Sequence, residues 1–130
     1  MKYSFVIPVY NRPAEVEELL ASLCTQTHGG FEVVVVEDGS DVTCRDVVER
    51  YADRLPVRYF AKDNSGPGPS RNYGVERATG QYVIILDSDV VLPPGYVAAL
   101  DAELDAAPCD AFGGPDRAHA SFTPMQKAIN

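Results

Sequence analysis

The sequence lacks the features that mark several other classes of protein. Its three cysteines are an odd number, are widely spaced and include no CxxC pair, so neither a disulfide framework nor a cysteine metal site is indicated. No apolar run approaches the roughly 20 residues of a membrane-spanning helix. A formal net charge of -8 leaves no basic surplus for nonspecific contact with nucleic acid. We predict a cytoplasmic segment with reduced cysteines, no membrane span and no nucleic acid partner; any membrane association would come from other parts of a parent protein.

Common phosphate-binding and hydrolytic motifs are also missing. No GxxxxGK[ST] phosphate loop occurs in the chain. The loop at 64–72 is rich in glycine and proline, but Arg71 stands where a dinucleotide-binding fingerprint needs its third glycine. His28 and His119 are isolated, which favours surface positions, and no Ser/His/Asp or Cys/His arrangement indicates a hydrolytic site.

What the sequence does contain is an alternation of strand and helix patterns. Apolar residues make up 45% of the chain and charged residues 23%, ordinary values for one packed domain. The apolar periodicity predicts strands at about 3–8, 31–36, 57–61 and 82–86, a fifth strand beginning at 110–113, and helices at about 13–27, 43–53, 69–79 and 93–106. This alternation predicts an α/β fold with a mostly parallel sheet and helices on both faces.

Polar clusters follow each of the four predicted strands. They occupy residues 8–12, 37–41, 64–71 and 87–89. Because parallel sheets bind ligands at the carboxyl ends of their strands, we expect these clusters to converge on one site.

Two of the clusters are acidic. Asp87 and Asp89 leave an apolar strand one residue apart, and carboxylates at this spacing suit Mg²⁺ or Mn²⁺ that also binds a diphosphate; the alternative is a solvated acidic turn. Glu37 and Asp38 are placed to accept hydrogen bonds from a nucleobase or a ribose hydroxyl. The alternative is a helix N-cap, a role that Asp41 could also take.

Arg71 stands near the start of a predicted helix, behind the glycine- and proline-rich loop. The exposed backbone donors of such a loop favour anions, whereas a cation is electrostatically disfavoured at this end of a helix. A carboxylate or a base carbonyl as partner would explain the arginine.

Together, these motifs resemble the amino-terminal half of the family 2 glycosyltransferases, which have the Rossmann-like GT-A fold. The stretches that carry the resemblance are FVIPVYN at 5–11, VVEDGS at 35–40, NSG at 64–66 with SRNYG at 70–74, and LDSD at 86–89. The resemblance implies that residues 1–130 form the part that binds the nucleotide-sugar donor. It also implies truncation, with the acceptor-binding part absent.

The resemblance assigns roles to particular residues. It implies that Pro8, Tyr10 and Arg12 line the nucleotide pocket, that Asp38 and Arg71 contact the base, usually uracil, that Asp89 binds the metal directly, that Asp87 orients the ribose or a metal-bound water, and that Gly113 and Gly114 begin the wall beside the donor sugar. Glu37 departs from the family, which commonly has aspartate there. Asp110 and Asp116 lie downstream, but neither matches the family's general base, so the catalytic base is not identified.

The implied function is metal-dependent sugar transfer with inversion. The donor is a nucleoside-diphosphate sugar, usually a UDP-sugar, the cofactor is Mn²⁺ or Mg²⁺, and the acceptor is a saccharide or a lipid-linked glycan hydroxyl in polysaccharide or glycoconjugate synthesis. One alternative is a non-catalytic fragment that binds nucleotide-sugars. Another is a phosphohydrolase of the haloacid dehalogenase type, because IILDSDVV at 84–91 resembles its nucleophile strand. A sugar-phosphate nucleotidyltransferase would need a basic, glycine-rich signature after the first strand, which is missing.

Overall fold

The computed structural model describes residues 2–106, which form four strands and four helices in strict alternation. In chain order these are β1 (Tyr3–Val9), α1 (Pro13–Cys24), β2 (Phe31–Asp38), α2 (Arg45–Tyr51), β3 (Val57–Lys62), α3 (Pro67–Arg77), β4 (Tyr82–Ile85) and α4 (Tyr96–Ala106). The predicted fifth strand, at 110–113, lies outside the described residues.

The four strands form one sheet in the order β3-β2-β1-β4, and every neighbouring pair is parallel. The chain steps from β1 to β2 to β3 in one direction and then crosses back to β4 on the other side of β1. Right-handed crossovers therefore place α1 and α2 on one face and α3 on the opposite face. The predicted α/β class with a parallel sheet covered on both faces is confirmed.

The valine run of β2 is buried on both sides of the sheet. Val33 and Val35 point into the larger core, whereas Val34 and Val36 point into the smaller one. β-Branched side chains suit such a doubly covered strand.

The two cores are unequal in size. The larger core joins the sheet to α1, α2 and α4 through residues that include Leu19, Leu23, Val48, Tyr96 and Leu100. The smaller core joins the sheet to α3 and the turn after it. The larger core fixes three of the four helices, so it contributes most of the apolar burial.

Three helices are shorter than predicted: α1 ends earlier, α2 is shorter at both ends, and α4 begins at Tyr96 rather than at about 93. α1 stops at Cys24, where the N–H groups of Thr25 and Gln26 donate three residues back, and the side chain of Gln26 donates to Pro93 O at 2.8 Å and accepts from Val97 N at 3.0 Å. α2 begins only at Arg45, because the N–H of Cys44 donates to the carboxylate of Glu37 at 2.8 Å. Neither contact has a signal in the hydrophobic periodicity.

The cysteines in the described part of the chain are free thiols. Cys44 is buried and Cys24 is partly buried, whereas Cys109 lies outside the described residues. Burial, and then the nearby charge of Glu37, raise the pKa of Cys44 well above its ordinary value, so it stays a protonated core thiol. Within residues 2–106, no helix combines the length and the apolar character needed to cross a bilayer.

Gly74 sets how closely α3 packs on the sheet. A Cβ atom at this position would lie 2.4 Å from Cγ1 of Val6 and 3.2 Å from Cγ2 of Val36. We predict that Gly74→Ala lowers the free energy of unfolding by roughly 1 kcal/mol, because overpacking costs about 1–3 kcal/mol and exceeds the ~1 kcal/mol that alanine gains in a helix.

Urea unfolding measures this change, and Gly95→Ala is the matched control. A Cβ at Gly95 meets no atom within 4 Å, so this variant should unfold like the parent chain. A stabilised Gly74→Ala would show that α3 packs less closely than described here.

Candidate functional site

The loops after β1 and β2 are joined through Asn11. Its side-chain oxygen accepts from the N–H groups of Asp41 and Val42 at 2.8 and 3.0 Å, and its own N–H donates to Ser40 Oγ at 2.8 Å. Asn11 has a φ of 54°, a left-handed conformation that asparagine tolerates better than most residues. These contacts hold the first two polar clusters together, as predicted.

Glu37 is a structural residue of this edge. Its side chain is buried, and its oxygens accept from the hydroxyls of Ser40 and Tyr59 and from the N–H of Cys44. Burial and the Glu37 carboxylate raise the pKa of Tyr59, which keeps the tyrosine a donor. Glu37 therefore serves neither as a helix N-cap nor as an open acceptor, and α2 has no side-chain cap from Asp41 either.

Asp38 is the most densely bonded carboxylate of the predicted site. Oδ1 accepts from Lys62 Nζ and from Ser65 N, both at 2.8 Å, and Oδ2 accepts from Gly66 N at 2.9 Å. Asn64 donates its side-chain amide to the Asp38 carbonyl at 2.9 Å. Asp38 thus ties the end of β2 to the loop that precedes α3.

The charge state of Asp38 follows from these contacts. Burial alone would raise the pKa of its carboxyl group, but the hydrogen bonds from Lys62, Ser65 and Gly66, together with the Lys62 charge, lower the pKa below the ordinary value of 3.8. Asp38 is therefore ionised and fully engaged at neutral pH.

Lys62 was not among the residues predicted for the site. It is the last residue of β3 and pairs in register with Asp38 of β2. Its ammonium group donates to Asp38, to the Asp63 carbonyl at 2.8 Å, to Ser65 Oγ and, at 3.5 Å, to Ser70 Oγ. The sequence signal for a role of Lys62 was that it is a single cationic residue at a strand end, whereas acidic residues stand at the ends of β2 and β4.

A cleft of about 150 Å³ opens at the carboxyl ends of β1 and β2. We call it the β1–β2 cleft, and it is lined by Pro8, Val9, Tyr10, Asp38, Pro67 and Ser70. Three of the predicted nucleotide-binding residues, Pro8, Tyr10 and Asp38, therefore meet at one place. Tyr10 is half exposed, so its ring is accessible from solvent beside the cleft.

A larger hollow of about 340 Å³ lies at the opposite edge of the sheet. Its lining includes Leu23, Phe31, Arg54 and Pro56, which surround the amino end of β2. Because ligands of parallel sheets bind at the carboxyl ends of the strands, we assign the site to the smaller β1–β2 cleft.

The two predicted arginines stand outside the wall of the β1–β2 cleft. Arg71 directly follows Ser70 on α3 and is exposed, and its guanidinium has neither a hydrogen bond nor an ion pair with residues 2–106. Arg12 is also exposed and pairs with Glu15 at 3.5 Å. Arg71 therefore has an unengaged cation one residue from the cleft wall.

Asp87 and Asp89 follow β4 at the same edge. The N–H of Leu86 donates to Val6 O at 2.9 Å, which sets the next residue, Asp87, beside the end of β1. Both aspartates are exposed, and neither side chain is bonded to another described residue. Gly113 and Gly114, predicted to flank the donor sugar, lie outside the described residues.

These two carboxylates fit a divalent cation that is shared with a ligand. Within residues 2–106, no three histidine, cysteine or acidic side chains cluster as a metal site. Mg²⁺ and related hard cations commonly take one or two protein carboxylates and complete their shell with water and substrate phosphates. The open aspartates match that arrangement, in contrast to the fully bonded Glu37 and Asp38.

Comparison with known proteins gives a family match over almost the whole chain. The sequence model of glycosyl transferase family 2 matches residues 4–129. Validoxylamine A glucosyltransferase of Streptomyces hygroscopicus subsp. jinggangensis is 41% identical over 110 residues, which are 81% of this chain and 26% of that enzyme. The chain spans 13% to 34% of the length of the first curated relatives that it matches.

Solved glycosyltransferase structures share the fold. Residues 1–349 of Staphylococcus aureus TarS in complex with UDP-GlcNAc are 35% identical, with a TM-score of 0.78 over 82% of this chain and 32% of that one. The mannosyltransferase PcManGT of Pyrobaculum calidifontis, in complex with GDP-Man and Mn²⁺, is 27% identical, with a TM-score of 0.75 over 82% of this chain and 33% of that one. The predicted GT-A fold is confirmed.

The bonds to Asp38 predict a pH-dependent contribution to stability. Because the pKa of Asp38 is lowered in the folded chain, its stabilisation is complete above the ordinary value of 3.8 and is lost as the pH falls through the lowered value. We predict that Asp38→Asn lowers the free energy of unfolding by about 2 kcal/mol at pH 7 and by less in strong acid.

Urea unfolding at pH 7 and at about pH 2.5 measures this difference. Asp53→Asn is the control, because Asp53 is exposed and its side chain bonds to no other described residue. An equal loss at both pH values would contradict the role of the Asp38 charge.

Proposed function

The chain belongs to glycosyl transferase family 2, and we propose that it forms the donor-binding part of an enzyme that transfers a sugar from a nucleoside-diphosphate sugar. The proposal rests on one arrangement above all. The β1–β2 cleft and the unengaged pair Asp87 and Asp89 lie at the same edge of one parallel sheet. This edge supplies an aromatic and apolar pocket at one end and hard anionic ligands at the other.

The strand order gives the bound nucleotide a direction. Asp38 ends β2, Asp87 follows β4, and β1 lies between these two strands. Neighbouring strands are about 4.8 Å apart, so the two ends of the site are separated by roughly 10 Å. In our proposal the base enters the β1–β2 cleft, the ribose crosses the end of β1, and the diphosphate reaches Asp87 and Asp89.

Arg71 and Asp38 have different roles in this proposal. The Asp38 oxygens already accept three close hydrogen bonds from the protein, so the carboxylate shapes the cleft wall and contacts the base only as a further acceptor. Arg71 has a free guanidinium beside that wall and is placed to meet a base carbonyl. Tyr10, at the rim, offers its ring to the face of the base.

Asp89, with Asp87, would hold the divalent cation. When bound, Mn²⁺ or Mg²⁺ supplies positive charge against the charge that grows on the departing diphosphate. The aspartates contribute two open carboxylates just after β4. Asp89 is the direct ligand in this proposal, and Asp87 orients the ribose or a metal-bound water.

We propose a UDP-sugar as donor. TarS, a poly(ribitol-phosphate) beta-N-acetylglucosaminyltransferase, is solved with UDP-GlcNAc and shares about a third of its residues with this chain over the aligned part. PcManGT is solved with GDP-Man, so GDP is the comparison nucleotide in any binding test. The acceptor is proposed to be a saccharide or lipid-linked glycan hydroxyl, with inversion at the anomeric carbon.

We propose different outcomes for donor binding and for catalytic turnover by this chain. Transfer with inversion needs a base for the acceptor hydroxyl, and general base catalysis contributes about 10²- to 10⁴-fold. No base is assigned in residues 2–106, so we propose that this chain binds donor and turns over poorly alone. A fragment that binds nucleotide-sugars without chemistry gives the same binding, and measurable transfer of the sugar to an acceptor distinguishes the two.

Calorimetric titration of UDP with and without Mn²⁺ tests the metal site. We predict that Mn²⁺ strengthens UDP binding at least tenfold to the parent chain and that Asp89→Ala abolishes this gain, because the carboxylate that shares the cation is lost. Asp53→Ala removes an exposed aspartate elsewhere and should keep the gain. If Asp89→Ala showed the same Mn²⁺ dependence as the parent chain, the metal would not be bound by Asp87 and Asp89.

Titration of UDP without metal tests Arg71 separately. We predict that Arg71→Gln weakens metal-free UDP binding by roughly fivefold to tenfold, because a charged donor to the base is lost. Arg50→Gln is the control, since Arg50 is an exposed arginine that pairs with Glu17. An unchanged affinity in Arg71→Gln would exclude contact with the nucleotide.

A further inference from the structure

The loop between β3 and α3 is held by the buried carboxylate of Asp38 and the mostly buried ammonium group of Lys62. Asp38 accepts from the N–H groups of Ser65 and Gly66, and Lys62 donates to the Asp63 carbonyl and to the Ser65 hydroxyl. The contacts between this ion pair and the loop all involve residues 63–66, which directly precede α3. This ion pair therefore sets where α3 begins.

The start of α3 is also one wall of the β1–β2 cleft. Pro67 and Ser70 line the cleft opposite Pro8 and Tyr10. Ser70 is fully buried, its hydroxyl donates to Gly66 O at 2.8 Å, and it accepts from Lys62 at 3.5 Å. A change at Lys62 is thereby transmitted to the wall that would receive the base.

One close approach and one left-handed glycine restrict the conformations that the loop can adopt. A Cβ on Gly39 would lie 2.5 Å from the backbone nitrogen of Asn64, so β2 and the loop are in direct backbone contact. Gly66 has a φ of 97°, a conformation that favours glycine. The loop therefore depends on the Asp38–Lys62 pair to hold this one conformation.

Lys62 is well suited to hold Asp38 and poorly placed to meet the ligand. Its side chain is 14% exposed and that of Asp38 is 7% exposed, so the pair is largely desolvated. Without the lysine, Asp38 would be a buried carboxylate lacking its cation, which is a costly arrangement. All three ammonium protons have acceptors within the protein.

We propose that Lys62 is a positioning residue for nucleobase binding, acting through Asp38 and the loop at 63–66 to fix the wall formed by Pro67 and Ser70. The inference rests on the proposed donor site. It assigns Lys62 to the base end of the ligand and gives it no role at the diphosphate. Lys62 should therefore affect uridine and UDP by the same factor.

The binding test compares uridine and UDP on the full chain and on Lys62→Met. We expect the affinity for both ligands to fall about tenfold, with the relative gain from Mn²⁺ unchanged. Lys62→Arg should recover most of the affinity, because it restores a cation to Asp38. Lys2→Met, which breaks the distant ion pair with Asp101, should bind both ligands like the parent chain.

A double variant shows whether Lys62 acts through Asp38. In the Asp38→Asn background there is no buried carboxylate to neutralise, so adding Lys62→Met should change uridine affinity by less than about twofold. A full tenfold loss in that background would mean that Lys62 acts independently of the Asp38 charge, which overturns the proposal. Unchanged uridine affinity in Lys62→Met alone would overturn it as well.

Amide hydrogen exchange tests the loop without any ligand. We expect Lys62→Met to accelerate exchange at Ser65 and Gly66 selectively, while amides of β1 stay protected. If the parent chain binds neither UDP nor uridine, the proposed function fails, whereas the exchange data still decide whether Lys62 fixes this loop. Parent-like protection at Ser65 and Gly66 in Lys62→Met would refute the role of the lysine.

Discussion

The edge of the sheet that carries the site depends on the burial of acidic side chains in β2. Three acidic residues of β2 are buried, namely Glu32, Glu37 and Asp38. A buried carboxylate is tolerated only where fixed hydrogen-bond donors replace water. Each of the three is met by donors from other segments. Glu32 accepts from Ser4, Arg58 and Thr79 near one end of the strand, while Glu37 and Asp38 organise the loops at the other end. The need to satisfy these charges thus fixes loops that hydrophobic packing alone would leave loosely defined.

The acidic residues of this chain consequently fall into two chemical groups. Most acceptor sites of Glu37 and Asp38 are occupied by donors of the protein, so these two residues chiefly stabilise its architecture. Asp87 and Asp89 remain exposed and unbonded among the described residues, at the end of a strand whose preceding residues are buried. A cation bound with a diphosphate needs the second group, because ligands already committed to protein donors would have to be released first. Acidic residues therefore shape the site at the end of β2, whereas those after β4 remain available to bind a cation.

The fold was predictable from the sequence because its determinants are apolar and periodic. Four consecutive valines predicted a strand buried on both faces, and β2 has that environment. The convergence of Pro8, Tyr10 and Asp38 followed from parallel strands sharing one edge. The roles of Glu37 and Lys62 did not follow, because they depend on the register of β2 with β3 and on hydrogen bonds to distant loops. Helix ends were missed for the same reason: just after α1, the side chain of Gln26 bonds to residues about 70 positions away.

The size of the β1–β2 cleft has a consequence for how the ligand is recognised. Sites for small molecules usually enclose about 300–1,000 Å³, whereas this cleft has about 150 Å³. The cleft is therefore large enough for only one part of the proposed nucleotide, and in our proposal the remainder lies along the strand ends toward β4. The strand order supports that path, since the direction of chain progression reverses between β1 and β4, where open α/β sheets bind their ligands. In the proposed site, recognition is thus divided between a pocket for the base, whose wall is held by the Asp38–Lys62 pair, and open carboxylates for the cation and diphosphate.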